Sequence, residues 1–244
     1  MASSKADYHR NRMRWLASPL AQETDLSCVD RHYHLHAIRA EDVAAFDFIP
    51  HDSGEHWTQV PWICVCSVPP YSASPTAVAA SGLMKPAFFS VTGQLSCQEV
   101  VFETVPGLNG QPSPSSNTHI AFWVEPRPDN IAIRDWGSFG GTLERLAARS
   151  TVSTDLSKLY ALDEHGVTRI RPQGTETRSG MQLVRLGSGF SWFNADGDRL
   201  SIASRGQMPF DQCVHVLFQL KHVRHLGAGN QHFMEASLVY IALV

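Results

Sequence analysis

Three histidines alternate along the stretch RHYHLHAIRAED, residues 31–42. On an extended strand, residues two apart project from the same face, so His32, His34 and His36 would present three imidazoles together. Imidazole is a good ligand for iron, nickel, copper or zinc, and Glu41 follows five residues after His36. The row is therefore either a metal site or the polar face of a strand whose opposite face is packed.

The spacing of His34, His36 and Glu41 resembles the first metal-binding motif of the cupin family. That resemblance implies a β-barrel that holds a transition metal with two histidines and a carboxylate. The chain departs from the motif at Cys28 and Phe48, where the family has glycine, and no second motif follows. Candidates for a third imidazole remain by elimination, namely His119 and His215. The polar-face interpretation is favoured, so no metal and no cofactor are predicted, and a cupin-like metal-dependent enzyme is the alternative.

Nucleophilic catalysis and sugar binding have less support. The stretch GSGFSWF lacks the G-x-S-x-G pattern, because Phe193 occupies the last glycine position. Trp57 and Trp136 lie in or beside loops, where exposed indole rings would suit a carbohydrate-binding β-sandwich. Packing in a core or an interface is the favoured interpretation, since tryptophan buries a large area wherever it can.

Charge restricts the possible partners. The net charge of −3 gives the whole chain no attraction to nucleic acid or an anionic membrane. The exception is residues 1–27, an N-terminal basic arm in which Arg10, Arg12 and Arg14 are predicted to contact nucleic acid weakly. No signal peptide and no apolar run of about twenty residues are present, so no membrane partner is expected. The five cysteines form no C-x-x-C pair, which suggests a reducing compartment.

Short runs rich in β-branched and aromatic residues dominate the rest of the chain. They predict strands at 31–39, 43–49, 60–68, 87–93, 97–105, 118–125, 181–187, 189–193, 199–203, 213–222 and 232–243. Between two of them, NADGD predicts a tight hairpin in which Asp196 and Gly197 supply positive φ angles. One stretch, GTLERLAARS, predicts a helix with Thr142 as its N-cap. Leu143, Leu146 and Ala147 would share its apolar face.

The order of these strands resembles the jelly roll of picorna-like virus capsid proteins, most closely the small coat protein of plant secovirids such as comoviruses. The segments that carry the resemblance are GLMKPAFFSVTGQLSCQEVVFETV, NTHIAFWVEPRPDN, SGMQLVRLGSGFSWFNADGDRLSI and the apolar C-terminal pair of strands. It covers residues 28–244 and implies an all-β fold: one eight-stranded antiparallel jelly-roll sandwich with one or two short helices in its loops.

The resemblance also implies a function. The chain would be a structural coat protein without catalysis, found in the virion and, before assembly, in the host cytoplasm. Its partners would be other capsid subunits, contacted through the loops 106–117 and 163–180, and genomic RNA, contacted through the basic arm. A charged fraction of 18% fits this expectation, because the flanks of shell subunits are buried against neighbours.

Overall fold

The computed structural model describes residues 32–50, 62–66, 85–105, 117–127, 136–150, 153–162, 166–176, 191–200, 202, 204–225 and 231–244. Fifteen strands in this part of the chain join one mixed sheet. They are β1 (His32–His34), β2 (Phe46–Pro50), β3 (Trp62–Cys66), β4 (Lys85–Pro86), β5 (Phe88–Leu95), β6 (Val101–Val105), β7 (Asn117–Ala121), β8 (Val124–Glu125), β9 (Tyr160–Leu162), β10 (Thr168–Ile170), β11 (Pro172–Glu176), β12 (Ser191–Phe193), β13 (Arg199–Leu200), β14 (Cys213–His225) and β15 (Gln231–Leu243). One α-helix, α1 (Phe139–Ala147), accompanies them, with short 3-10 helices at Leu35–Ala37, Ala40–Ala45 and Arg205–Gln207.

The centre of the sheet is the long hairpin of β14 and β15, whose register runs from Val214 opposite Leu243 to His225 opposite Gln231. The outer edge of β14 pairs first with β5 and then with β3. The outer edge of β15 pairs with β11 and β12. The partner changes part-way along the outer edge of each long strand, so the sheet branches on both sides of the hairpin.

The helix α1 packs beside the 3-10 helices Leu35–Ala37 and Ala40–Ala45 and contributes apolar residues to the core. Its residues Leu143 and Leu146 are fully buried and join a core that contains Phe89 and Phe218. Trp136 lies just before α1 and packs edge-on against Phe139, with ring centroids 4.8 Å apart. Full burial of one such side chain contributes about 1.5–3 kcal/mol, so this apolar layer supplies much of the driving force for folding.

The all-β prediction is confirmed, but the eight-stranded antiparallel jelly roll is not. β1 pairs in parallel with β5, and both β11 and β12 pair in parallel with β15. A jelly roll built from hairpins would pair its strands antiparallel. The loop predicted at 163–180 is also wrong in part, since β10 and β11 lie within it. The alternating sequence TRIRP buries Thr168, Ile170 and Pro172 and forms ladder pairs with β8, β9 and β15.

The N-terminal strand prediction is correct for only three residues. After His34 the chain turns into a 3-10 helix, and a second one begins at Ala40. The residue before it, Arg39, bonds through both its side chain and its backbone N–H to the Asp42 carboxylate. The alternation therefore ends: His36 and Ala37 are exposed, whereas Ile38 is buried. The segment 43–49 likewise begins as a 3-10 helix and becomes strand at Phe46.

Several local predictions have clear outcomes. The hairpin of β12 and β13 is confirmed, although of its described turn residues Gly197 alone has a positive φ, 91°. The helix is confirmed, but Thr142 is not its N-cap. It lies within α1, 1% exposed, and its N–H donates to the carbonyl of Ser138. Some predictions fall outside the described residues: the arm 1–27, the strand 181–187, the loop 106–116 and Trp57.

Candidate nucleic-acid interface

His34 on β1 and His215 on β14 come together because both strands pair with β5. Their ring centroids are 6.0 Å apart, and the His36 ring lies 5.6 Å from that of His34. The half-buried His34 and the buried His215 each have a hydroxyl partner on β5. His34 Nδ1 is 2.8 Å from Ser90 Oγ, and His215 Nδ1 is 3.2 Å from Thr92 Oγ1. These hydrogen bonds between neighbouring strands give a structural reason for histidine at positions 34 and 215.

The metal ligands of the cupin-like alternative are not assembled. Glu41 extends from a separate 3-10 helix and pairs with Arg39, with Nη1 and Oε1 3.0 Å apart. His119 lies on β7, opposite Glu103 and Thr175, rather than beside His34. Within the described ranges, no group of three or more His, Cys, Asp or Glu residues is arranged to hold a metal ion.

The sugar-platform interpretation fails for Trp136. That ring is 5% exposed, and its Nε1–H donates to the backbone carbonyl of Thr92 at 3.3 Å. A ring that is covered by protein and already hydrogen-bonded offers no face to a sugar.

A different cluster combines two positively charged side chains with an aromatic ring. We call it the arginine–tryptophan cluster; it consists of Trp123, Arg169 and Arg171, with Glu99 and Glu125 beside them. The Cζ atoms of Arg169 and Arg171 lie 4.2 and 5.4 Å from the centroid of the Trp123 ring. Guanidinium groups at this distance are attracted by the negative face of the indole, so the ring holds both cations.

Strand geometry explains why the two arginines share a face. Arg169 is on β10, Arg171 follows it by two residues, and both are half-buried, while Ile170 between them is fully buried. Residues i and i+2 on extended backbone point the same way, about 6.6 Å apart. The backbone N–H of Arg171 donates to the carbonyl of Leu159 at 2.8 Å, which holds this position against β9.

The charges of the cluster are only partly neutralised. Arg169 faces two carboxylates, Glu99 at 3.8 Å and Glu125 at 3.9 Å, distances beyond a good hydrogen bond. Arg171 forms no ion pair with any described carboxylate, and among the described residues the covered Nε–H groups of both arginines have no acceptor. The positive charge of Arg171 is therefore not neutralised by a described side chain, and it attracts an anion.

The sequence-based prediction missed this cluster. Its signal was the alternation T-R-I-R-P at residues 168–172, which is the pattern of a strand with one packed and one charged face. The partner Trp123 is more than forty residues away in the chain, so no local pattern connects it to the arginines.

A third group links the turn that follows α1 to the central hairpin. His222 Nε2 lies 2.8 Å from His232 Nδ1 across the hairpin, and His222 Nδ1 lies 3.3 Å from Ser150 Oγ. Burial and, to a smaller extent, the neighbouring His232 lower the pKa of His222 below its ordinary value. The neutral imidazole is therefore the form that the fold stabilises.

Comparisons with known proteins give few matches. No protein-family model matches the chain, and no curated protein matches it. Solved structures that match include gp2.5, a single-stranded DNA-binding protein encoded by bacteriophage T7, with a TM-score of 0.35, 10% identity and coverage of 64% of this chain and 85% of that one. Another is the single-stranded DNA-binding protein of bacteriophage Enc34 in complex with single-stranded DNA, with a TM-score of 0.39, 10% identity and coverage of 64% and 85%.

These findings contradict the interpretation of the chain as a coat protein. The matched structures are single-stranded DNA-binding proteins rather than picorna-like capsid proteins or enzymes. Capsid subunits as partners and the cupin-like enzyme are therefore wrong predictions as well. At TM-scores this low the likeness carries no argument about the ligand of this chain, which has to be inferred from its own geometry. In the described part of the chain, no helix has the length and apolarity to cross a membrane.

Proposed function

We propose that this protein binds single-stranded nucleic acid through the arginine–tryptophan cluster. The observation that carries the proposal is Arg171, a half-buried residue whose guanidinium lies over the Trp123 ring with no described carboxylate beside it. A phosphate group supplies the negative charge and the acceptor oxygens that an unneutralised guanidinium attracts. The planar, permanently charged guanidinium is the side chain best suited to that contact.

A single strand suits the cluster better than a duplex does. Trp123 is only 3% exposed, so bases cannot stack on its ring, but it supports the guanidinium of the half-buried Arg171, and unpaired bases also stack on guanidinium planes. In a duplex the base faces are already stacked on one another. Proteins that bind single strands commonly combine such stacking with a basic path for the backbone.

The guanidinium groups of the cluster are suited to binding an anion rather than to catalysis. Guanidinium groups remain protonated at every physiological pH, so they attract anions but do not exchange protons with a substrate. We therefore propose a binding protein and not an enzyme.

The basic arm is proposed as a second contact. Arg10, Arg12 and Arg14 would add phosphate contacts to those of the cluster, with residues 28–244 forming the folded domain. Because the whole chain has a charge of −3, affinity has to come from such local concentrations of positive charge.

The test is the affinity for a labelled oligothymidylate, measured by fluorescence anisotropy at several salt concentrations. Arg171→Gln should weaken binding roughly 3- to 10-fold and reduce the slope of log K against log salt by about 0.7, the contribution of one phosphate contact on a single strand. The matched control is Arg145→Gln, which removes the same charge from the exposed surface of α1.

Two outcomes would contradict the proposal. Equal losses for Arg171→Gln and Arg145→Gln would show that only net charge matters. Equally tight binding of a duplex would remove the argument for a single strand. Deletion of residues 1–14 should lower the salt slope further if the arm contributes, because it removes three arginines.

A further inference from the structure

We infer that Glu99 is an internal competitor for the anion: its carboxylate occupies the place beside Arg169 that a phosphate must take, and it has to move away for the strand to bind. This inference rests on the proposed function and deepens it. It assigns to Glu99 the role of setting the affinity of the cluster.

The Glu99 carboxylate contacts both components of the site. One oxygen, Oε2, accepts the Trp123 Nε1–H at 2.8 Å. The other, Oε1, lies 3.8 Å from Arg169 Nη2. A carboxylate and a phosphate present similar acceptor oxygens to a guanidinium, so Glu99 holds the position of a bound anion.

The contact is one that Glu99 can leave. Its side chain is 59% exposed, and the distance to Arg169 is too long for a hydrogen bond. Water solvates the exposed Glu99 carboxylate well when it leaves, and Arg169, whose side chain is 14% exposed, keeps Glu125 at 3.9 Å. A phosphate oxygen that replaces Oε2 would also satisfy the Trp123 Nε1–H, so displacement leaves no buried donor without an acceptor.

The backbone of Glu99 is in an uncommon conformation. Its φ is +50°, in the left-handed region, although it is not a glycine. Such conformations are found at a few per cent of non-glycine residues and often mark functional sites. From this turn the carboxylate reaches both the Trp123 Nε1–H and Arg169.

Glu99→Gln tests the inference, because glutamine keeps an acceptor oxygen for the Trp123 Nε1–H and removes the charge. We expect oligothymidylate affinity to rise roughly 3- to 10-fold, the effect of removing one competing charge close to the ligand. The control is Glu103→Gln, the same charge change at an exposed position of β6, for which a change of less than about 2-fold is expected. Equal gains in the two variants, or no gain in Glu99→Gln, would overturn the inference.

A second measurement separates failure of the inference from failure of the proposed function. The Trp123 indole N–H signal, assigned in an NMR spectrum with Trp123→Phe, is followed during titration with inorganic tripolyphosphate. If Glu99 competes for the anion, the signal shifts at lower tripolyphosphate concentration in Glu99→Gln than in the wild-type protein. That result without any oligothymidylate binding would refute the nucleic-acid function and retain the role of Glu99. Oligothymidylate binding with equal affinity in both proteins would refute the role of Glu99 and retain the nucleic-acid function.

Discussion

Replacement of Gly93 by alanine should be severely destabilising, because β5 and β8 meet there without room for a side chain. A Cβ atom at position 93 would lie 2.4 Å from the backbone oxygen of Glu125. It would also lie 2.8 Å from Cζ2 of Trp136 and 2.8 Å from Cγ1 of Val124. Ordinary carbon contacts are about 3.5–4.0 Å, so each neighbour has to move by about 1 Å.

The magnitude follows from which atoms must move. The nearest of the three is a backbone atom of β8, and β8 is tied to β5 by the register of Gln94 with Glu125 and Leu95 with Val124. Overpacking of a rigid core costs about 1–3 kcal/mol and more where backbone shifts, so we expect a loss of about 3 kcal/mol. The free energy of unfolding of a domain is only about 5–15 kcal/mol, which makes this a large fraction.

Urea unfolding followed by circular dichroism measures the effect. With an m value of about 2 kcal/mol/M, the midpoint should fall by about 1.5 M. Gly137→Ala is the matched control, because apart from its chain neighbours no described atom lies within 4 Å of a Cβ there, and the position lies two residues before α1. That change should be neutral or stabilise by up to about 1 kcal/mol. A midpoint for Gly93→Ala within 0.3 M of wild type, about 0.6 kcal/mol, would refute the reasoning.

Two further predictions concern the hairpins. Because the pKa of His222 is lowered in the folded state, the unfolded chain binds a proton at this imidazole more readily than the folded protein does. The free energy of unfolding should therefore fall as the pH decreases from about 6.5 towards the lower pKa of the folded state. The slope is at most about 1.4 kcal/mol per pH unit. Urea unfolding between pH 7.5 and 5 should show a smaller pH dependence in His222→Gln than in wild type; equal dependence would contradict the assignment. Asn194→Ala should cost about 1–2 kcal/mol, since the Asn194 Oδ1 accepts the N–H groups of Asp196 at 3.0 Å and Asp198 at 2.8 Å. Asp196→Ala, at an exposed position of the same turn, should change stability by less than about 0.5 kcal/mol, and a similar loss in both variants would show that the side chain of Asn194 is not responsible.

Local features of the fold were predictable because their causes lie within a few residues. The apolar runs at 213–222 and 232–243 predicted two strands that the structure extends into the central hairpin. The turn at Gly197 follows from glycine's freedom to adopt positive φ. Leu143 and Leu146 had the spacing of a helix with one buried face, which is where α1 places them.

The cause of the wrong predictions was the assignment of partners to the strands. A run of apolar residues does not specify which other strand it pairs with, so a mixed sheet and an antiparallel jelly roll are compatible with the same list of strands. The histidine row shows the same limit. Its alternation was correct up to His34, but pairing with β5 ends there and the chain turns away.

The sequence by itself therefore determined that the chain is rich in strands, where its tight turn and helix lie, and that its positive charge is local. The tertiary structure decided which distant residues meet. It brought Arg169 and Arg171 to Trp123, and His222 to Ser150 and His232. The physical reason is range: turn and helix preferences act over a few residues, whereas a binding cluster forms only when long-range strand pairing fixes the register of separate segments.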